Sequence, residues 1–183
     1  MELSKQCSHI PNLVFPQYYP NYSSDRILTM DWIEGKPLGE RIKFKDIHKE
    51  EGQRLGQALW DFYHYQIHSL HSLHADPHPG NFIITPEGKL GVIDFGCVKV
   101  IPNDFYKVYF QLLDKDILND PKRLEKVFYD LRFIYKEDMA EDKKFFREVF
   151  MHLVELLGRP FRTPRFDFSE KSYFESLYKF GEE

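Results

Sequence analysis

Apolar positions set the first expectations. From Ile10 to Pro16 an apolar run is interrupted by Pro11 and Pro16, which suits an edge strand because proline brings no N–H to a second neighbour. Gln17–Asp25 is polar and tyrosine-rich and reads as a turn, and Arg26–Trp32 reads as a better strand. Ile33 to Pro37 carries Gly35 and Pro37 and reads as a linker. Asp46 is placed to cap a helix running from about Ile47 to Leu70, in which Leu55, Leu59, Phe62, Tyr63, Ile67 and Leu70 recur at three- and four-residue steps. Ala58 and Trp60 widen that stripe, so the helix is expected to be mostly buried and to present the loop after it rigidly.

Two short apolar runs, Phe82–Thr85 and Leu90–Ile93, flank Pro86-Glu87-Gly88-Lys89, whose turn chemistry predicts a β-hairpin. Val98–Ile101 is a short apolar run stopped by Pro102, and the remainder reads as helical. Asn103 is expected to cap a segment with Phe105, Val108, Tyr109 and Leu112 on one face. Asp120-Pro121 opens a helix carrying Leu124, Val127, Phe128 and Leu131. A helix over Lys143–Leu157 is expected to end at Gly158, with residues 159–168 as a basic, proline-broken surface loop. Ser169 is then placed to cap a last helix, Glu170–Phe180, and Met1–Gln6 reads as the end of another. No internal repeat or long linker divides the chain, so its 183 residues suit one domain with a sizeable core.

The chemistry gathers between His74 and Gly96. His74, Asp76 and Asn81 fit the template H-x-D-x-x-x-x-N, and Asp94-Phe95-Gly96 follows after the expected hairpin. Kinases assemble a phosphoryl-transfer site in this order, with one Asp near the attacking group and an Asn and a second Asp to hold magnesium. The hairpin explains the spacing, because a tight turn returns Asp94 close to Asn81. Each motif alone is weak; both in order, joined by strand, turn and strand, form a strong signal. The bland alternative makes Asp76 and Asn81 turn-formers among prolines and Asp94 the cap of a strand end.

Composition narrows the class. A net charge of −4 argues against a nucleic-acid groove. The 17 Phe and 11 Tyr suggest substantial packed surfaces. Cys7 and Cys97 form no metal or disulfide pattern, which makes a reducing compartment the default. No apolar run approaches the roughly 18 residues that span a bilayer, and no signal peptide opens the chain. The expectation is a soluble intracellular domain without a transmembrane segment.

His-Ala-Asp-Pro-His-Pro-Gly-Asn, residues 74–81, closely resembles the signature of the UbiB (AarF-like) family of atypical protein-kinase-like proteins, linked to coenzyme Q (ubiquinone) biosynthesis. The run from Ile27 to Gly35 resembles that family's hinge and linker, and Val92–Val98 its Asp-Phe-Gly segment; the likeness covers roughly residues 10–102. Small-molecule kinases of the aminoglycoside and choline type share H-x-D-x-x-P-x-N, but the octapeptide and the hinge favour UbiB. The resemblance implies an α+β fold: a protein-kinase-like C-terminal lobe, mainly α-helical, with a small β-hairpin at the active site. Residues 1–35 would be a remnant of small-lobe strands and hinge, and residues 36–183 the helical large lobe. It implies ATP and magnesium as cofactors, Asp76 as the catalytic-loop aspartate, and Asn81 and Asp94 as metal ligands. The backbone at Met30, Asp31, Trp32 and Ile33 would bind adenine. Pro77, Pro79 and Gly80 shape the loop, His74 is a scaffold position, and His78 has no assigned role. Partners would be a nucleotide and, for the family, lipid or coenzyme Q biosynthesis components. The location implied is cytoplasmic, peripheral to the inner membrane in a bacterium, or organellar in a eukaryote.

A departure accompanies the match. The family carries upstream a Lys-x-Gly-Gln helix, an alanine-rich nucleotide loop, a strand lysine that contacts phosphates and a helix glutamate that pairs with it. About 30 residues precede the hinge here, and Lys5 is the only lysine among them, so the chain is expected to be a fragment of a longer protein or a truncated product. Three further readings follow. A non-catalytic kinase-like module would bind partners without nucleotide. His64, His68 and His71 share a helical face and could hold zinc. Two strands near Ile10–Met30, lacking sheet partners, would expose an apolar edge and drive self-association.

Overall fold

The computed structural model describes residues 2–182 and divides into two compact units, residues 1–101 and 102–183.

The first unit opens with α1 (Glu2–Gln6) and β1 (Leu13–Val14), continues through β2 (Lys36–Pro37) and α2 (Leu38–Lys43), and reaches its principal helix, α3 (Lys49–Tyr65). A π-helical turn, Gln66–Leu70, follows, and His71 ends it in a left-handed conformation (φ 47°). Then come β3 (Ser72–His74), a 3₁₀ turn at Pro79–Asn81, β4 (Phe82–Ile84), β5 (Leu90–Val92) and β6 (Val98–Val100).

The expected hairpin is present, with Phe82 opposite Val92 and Ile84 opposite Leu90. Its turn closes through Thr85 N–H to the Lys89 carbonyl and Gly88 N–H to the Thr85 carbonyl, both 2.9 Å. Gly88 sits at φ +72°, a conformation that costs a residue without Cβ little. β4 and β5 form the middle of a sheet ordered β1-β5-β4-β2, in which β1 runs parallel to β5 and β2 antiparallel to β4.

Several expectations change. The run Ile10–Pro16 contracts to β1, which is an edge strand but not a partnerless one, because Leu13 and Val14 pair with Leu90 and Gly91. Arg26–Trp32 forms no strand; its only ladder features are isolated bridges, Tyr18 with Met30 and Ser24 with Ile27. Its alternation lacks a covering layer, which leaves Ile27, Leu28 and Trp32 exposed. The expected linker contains β2, with Pro37 on an edge strand. Gly35 (φ +150°) allows the close approach, since a Cβ there would lie 2.3 Å from the Ile84 carbonyl oxygen. Asp46 does not cap α3, which starts three residues later after His48; its carboxylate pairs with Arg41 at 3.2 Å instead. The core joins Cys7, Leu13, Leu55, Ala58 and Phe62 to Phe82, Ile84, Leu90 and Val92; α3, expected to be mostly buried, buries only Leu55, Ala58 and Phe62, and its other residues are half-buried or exposed.

The second unit is helical: α4 (Asn103–Tyr109), 3₁₀ turns at Phe110–Leu113 and Ile117–Asn119, α5 (Pro121–Asp130), α6 (Ala140–Arg162) and α7 (Lys171–Glu182). Asp120 caps α5 as expected, its Oδ1 accepting from Arg123 N–H at 3.0 Å with Pro121 at the first position. Asn103 does not cap α4 but begins it, after Pro102. α6 runs through Gly158 and Pro160 to Arg162, so the expected stop is absent and the 159–168 loop loses its first residues to helix. Gly158 has a different use. A Cβ there would lie 2.4 Å from the Arg162 guanidinium carbon, and the vacant space admits that side chain to the carbonyls of Val154 and Leu112. Ser169 bonds to Asp167 instead of capping, and α7 starts at Lys171. Leu112, Ile117, Leu124, Val127, Phe128, Ile134 and Val154 form the core.

Candidate active site

The site is built where α3 hands over to β3. Gln66, fully buried in the π turn, donates to the Phe62 carbonyl at 2.9 Å, and its Oε1 accepts from the His74 backbone N–H at 2.7 Å. One amide thus fastens the end of the helix to the start of the motif loop. The signal for it was a polar residue on the apolar face of α3, between Phe62 and Leu70.

The loop is then closed at both ends. β3 pairs with β6, placing His74 opposite Val98, and Ala75 N–H donates to the Cys97 carbonyl at 2.9 Å. At the other end Ile93 N–H donates to the Asn81 carbonyl at 3.1 Å. The two motifs therefore form one ring of backbone, with Asp76 and Asn81 on one arc and Asp94 on the other. His78 finds its role within the first arc: its Nδ1 accepts from Gly80 N–H at 3.0 Å and its carbonyl accepts from Asn81 N–H at 2.9 Å, which shapes the turn at Pro79.

Inside the ring, Asn81 Nδ2 donates to both the backbone carbonyl and the Oδ2 of Asp76, at 3.2 and 3.1 Å. Gly96 N–H donates to Asp94 Oδ1 at 2.6 Å. These bonds leave Asn81 Oδ1 and Asp94 Oδ2 as hard oxygen atoms with no donor among the described residues. Asp76 and Asp94 are exposed and Asn81 is half-buried, so both carboxylates keep their hydration while the loop holds their backbone in place.

Beneath the loop lies His74, fully buried. Its ring packs among Phe62, Tyr63, Phe82 and Phe95 at centroid distances of 5.5–6.4 Å, nearly parallel (14°) to Tyr63. Contact with Phe95 ties His74 to the Asp-Phe-Gly turn. Both His74 ring nitrogens and the hydroxyls of Tyr18 and Tyr63 are buried without a hydrogen-bond partner. Burial first, and then the Asp76 charge, push the Tyr63 phenol up to about 12. Buried polar atoms are normally paired; the stacked rings of His74 and Tyr63 bring three unpaired ones together, and the others among the described residues are Tyr18 Oη, Arg147 Nε and Arg162 Nε. No sequence motif marks Tyr18 or Tyr63.

The hinge residues are placed differently. Met30 bridges to Tyr18, and Asp31 is tied to Gln17 and Tyr19, its N–H donating to the Gln17 carbonyl and its Oδ1 accepting from the Tyr19 hydroxyl. Trp32 is 89% exposed. Asp31, Trp32 and Ile33 line a cavity of about 330 Å³ with Val14, Phe15 and the hairpin turn, and none of Asp76, Asn81 or Asp94 borders it. The structure thus brings the three motif residues together on one backbone ring, and Asp31, Trp32 and Ile33 of the expected hinge, without Met30, onto a separate concavity.

The histidine row takes another form from a zinc site. The His64 ring packs on His68 at a tilt of 50° with centroids 4.2 Å apart, and burial followed by the charges of His64 and His71 lowers the His68 pKa. Among the described residues no group of three or more His, Cys, Asp or Glu side chains is gathered to hold a metal.

A helix that buries one face and presents a closed loop, a hairpin, and an Asp-Phe-Gly turn packed on the loop's histidine define the large lobe of a protein-kinase-like fold. A solved structure of Rv3197 with erythromycin, from Mycobacterium tuberculosis, shares that fold with a TM-score of 0.73, over 96% of this chain and 43% of that one, at 21% identity. The ABC1 atypical kinase-like domain matches residues 1–128, and the chain belongs to that family. The chloroplastic Protein ACTIVITY OF BC1 COMPLEX KINASE 3 of Arabidopsis thaliana is 31% identical over 130 residues, 67% of this chain and 17% of the relative. The mitochondrial Atypical kinase COQ8B of Danio rerio is 24% identical over 164 residues, 88% of this chain and 25% of the relative. The chain therefore spans a quarter or less of these relatives' lengths. Among the described residues no helix is long and apolar enough to cross a membrane.

Proposed function

We propose that this chain carries the catalytic-loop and metal-binding half of an atypical kinase site, used by the whole protein for phosphoryl transfer or ATP hydrolysis. The observation that carries the reading is the division of labour within Asn81. Its amide nitrogen is spent on Asp76, its backbone carbonyl accepts from Ile93 N–H next to Asp94, and its Oδ1, like Asp94 Oδ2, has no donor among the described residues. That donor set is all hard oxygen and suits magnesium. Asn81 and Asp94 would hold the cation. Magnesium bound with nucleotide supplies charge neutralisation at the phosphates. Asp76 orients an acceptor hydroxyl or water and takes its proton, and the bond from Asn81 fixes the side chain that does so. Met30–Ile33 would meet the adenine as a hinge, with residues 1–35 as the remnant of a small lobe. In this reading Asp31 N–H is not among the groups left to the base, since it is committed to the Gln17 carbonyl.

The UbiB resemblance and the COQ8B relative support a role for the whole protein in coenzyme Q biosynthesis, and the chloroplastic and mitochondrial relatives an organellar site in a eukaryote. Self-association near Ile10–Met30 is proposed with it, through the exposed Ile27 and Leu28 rather than a partnerless strand edge, since β1 is paired. The test is calorimetric titration of ATP with and without magnesium, on wild type and Asp94→Asn. Magnesium-dependent binding is expected in wild type and lost in the variant, with the unliganded melting temperature equal or slightly higher. Equal binding by both proteins, or a destabilised variant, returns Asp94 to a turn-capping role.

A further inference from the structure

The cavity of about 330 Å³ beside the expected hinge is lined by chemistry that the phosphoryl-transfer reading does not use. Val14, Phe15 and Ile33 give it half-buried apolar walls, and the indole of Trp32, 89% exposed, stands on its border. Its charged groups are Asp31, Glu34, Glu87 and Lys89, three carboxylates against one ammonium. Among the described residues none of these four is within ion-pair distance of a partner.

The walls are in place without a ligand. Leu13 and Val14 are paired with Leu90 and Gly91. Asp31 is fixed by neutral donors, its Oδ1 accepting from the Tyr19 hydroxyl at 2.7 Å and its Oδ2 from Gln17 N–H at 3.3 Å. The Thr85 hydroxyl, above all, holds the Glu87 carboxyl below its usual range, so Glu87 is charged at neutral pH. Donors of this kind orient a carboxylate without cancelling its charge. A concave surface with one sign of charge in excess and apolar walls concentrates the opposite ion. Phosphates and carboxylates are therefore repelled, and a neutral apolar molecule would leave the charges unanswered. A cation with an apolar body satisfies the walls and the charges together, and the face of tryptophan is the aromatic surface that attracts such a cation most strongly. The volume lies at the small end of small-molecule sites, roughly 300–1,000 Å³.

We propose that this cavity binds a small organic ammonium ion, its apolar body against Phe15 and Ile33 and its charge between the Trp32 indole and the carboxylates of Glu34 and Glu87. The aromatic and apolar walls make the site, and the carboxylates select the charge. Asp76, Asn81 and Asp94 do not border the cavity, so the outcome here is independent of the magnesium reading.

The experiment is calorimetric titration with three probes of one shape: 4-phenylbutylamine, 4-phenylbutanol and 4-phenylbutyrate. The proteins are wild type, Trp32→Leu, the double variant Glu34→Gln/Glu87→Gln, and Glu40→Gln as an exposed acidic control outside the cavity, with thermal melts alongside. The amine should bind wild type with a Kd on the order of 1 mM, as suits about 11 heavy atoms. The alcohol should bind on the order of tenfold more weakly and the carboxylate not at all. Raising salt from about 20 to about 500 mM should weaken the amine. Trp32→Leu and the double variant should each lose on the order of tenfold in amine affinity while melting as wild type, and Glu40→Gln should bind as wild type. Absence of amine binding at about 10 mM overturns the proposal. So does equal binding of amine and alcohol, which makes the cavity merely apolar. Full amine affinity in both Trp32→Leu and the double variant places the amine elsewhere and overturns it too.

Discussion

The two units solve burial in different ways. In residues 1–101 the buried polar residues Ser4, Gln66, His74 and Thr85 are mixed into an apolar core, and strands of two or three residues hold loops in place. In residues 102–183 the buried residues among those described are apolar or aromatic, Leu112, Phe128, Val154 and Tyr173 among them, and long helices carry them. The lesson concerns what each core can do. Apolar packing fixes helices against one another but presents no chemistry. Polar atoms placed under a loop cost stability and specify the orientation of the groups above them.

The largest expected effect tests that difference at two phenylalanines, each fully buried. Phe62 touches Phe15, Tyr63, His74 and Phe95, whereas Phe128 touches Phe133 and Phe150. Either substitution to Ala should cost about 3–5 kcal/mol in its own unit. Only Phe62→Ala should also weaken magnesium-dependent ATP binding in the protein that remains folded. Amide exchange resolved along the chain, with titration at low temperature, checks both. Equal loss of binding from both variants would break the comparison.

What the sequence revealed follows the same line. The hairpin was legible because its turn is local chemistry, and Asp120-Pro121 was legible because a cap and its helix are neighbours. Arg26–Trp32 was misread because a strand exists only with a continuous partner, and its pairing with Gln17–Tyr19 goes no further than the single Tyr18–Met30 bridge. Gly158 was misread because its purpose is the Arg162 side chain, a tertiary fact that no local rule contains. Within the site, Asp76, Asn81 and Asp94 stood out as a motif. Gln66, Tyr18 and Tyr63 did not, since their significance lies in burial without a motif to announce it.

A middle-sized effect is expected at Gln66. Gln66→Leu keeps the volume approximately but orphans the His74 backbone N–H, a buried donor with a measured cost of about 1–3 kcal/mol. The chain should melt lower, and the lost protection should appear first at residues 72–76, where the clamp acts. A variant as stable as wild type would show that the site loop holds without it, and would make the buried amide an accident of packing.

The smallest effect depends on pH. Cys7 is fully buried in the first unit, and burial pushes its thiol from the usual 9.0 up to about 11. A group whose folded pKa lies above its unfolded value stabilises fully below the unfolded value and loses that contribution as pH rises toward the folded one. Stability should therefore decline from about pH 9 upward, ahead of the tyrosines, whose ordinary value is 10.0. Tyr173, the buried tyrosine of the second unit, is raised from that value by burial and so titrates later still. Between pH 8 and 10 the slope of unfolding free energy should accordingly belong to residues 1–101, and Cys7→Ala should flatten it while lowering stability at pH 7 through the lost packing. Denaturant melts across that range, with probes in each unit, measure the slope directly. A slope of the same size in Cys7→Ala would place the alkaline sensitivity elsewhere and remove the thiol from the polar burden that distinguishes the first core.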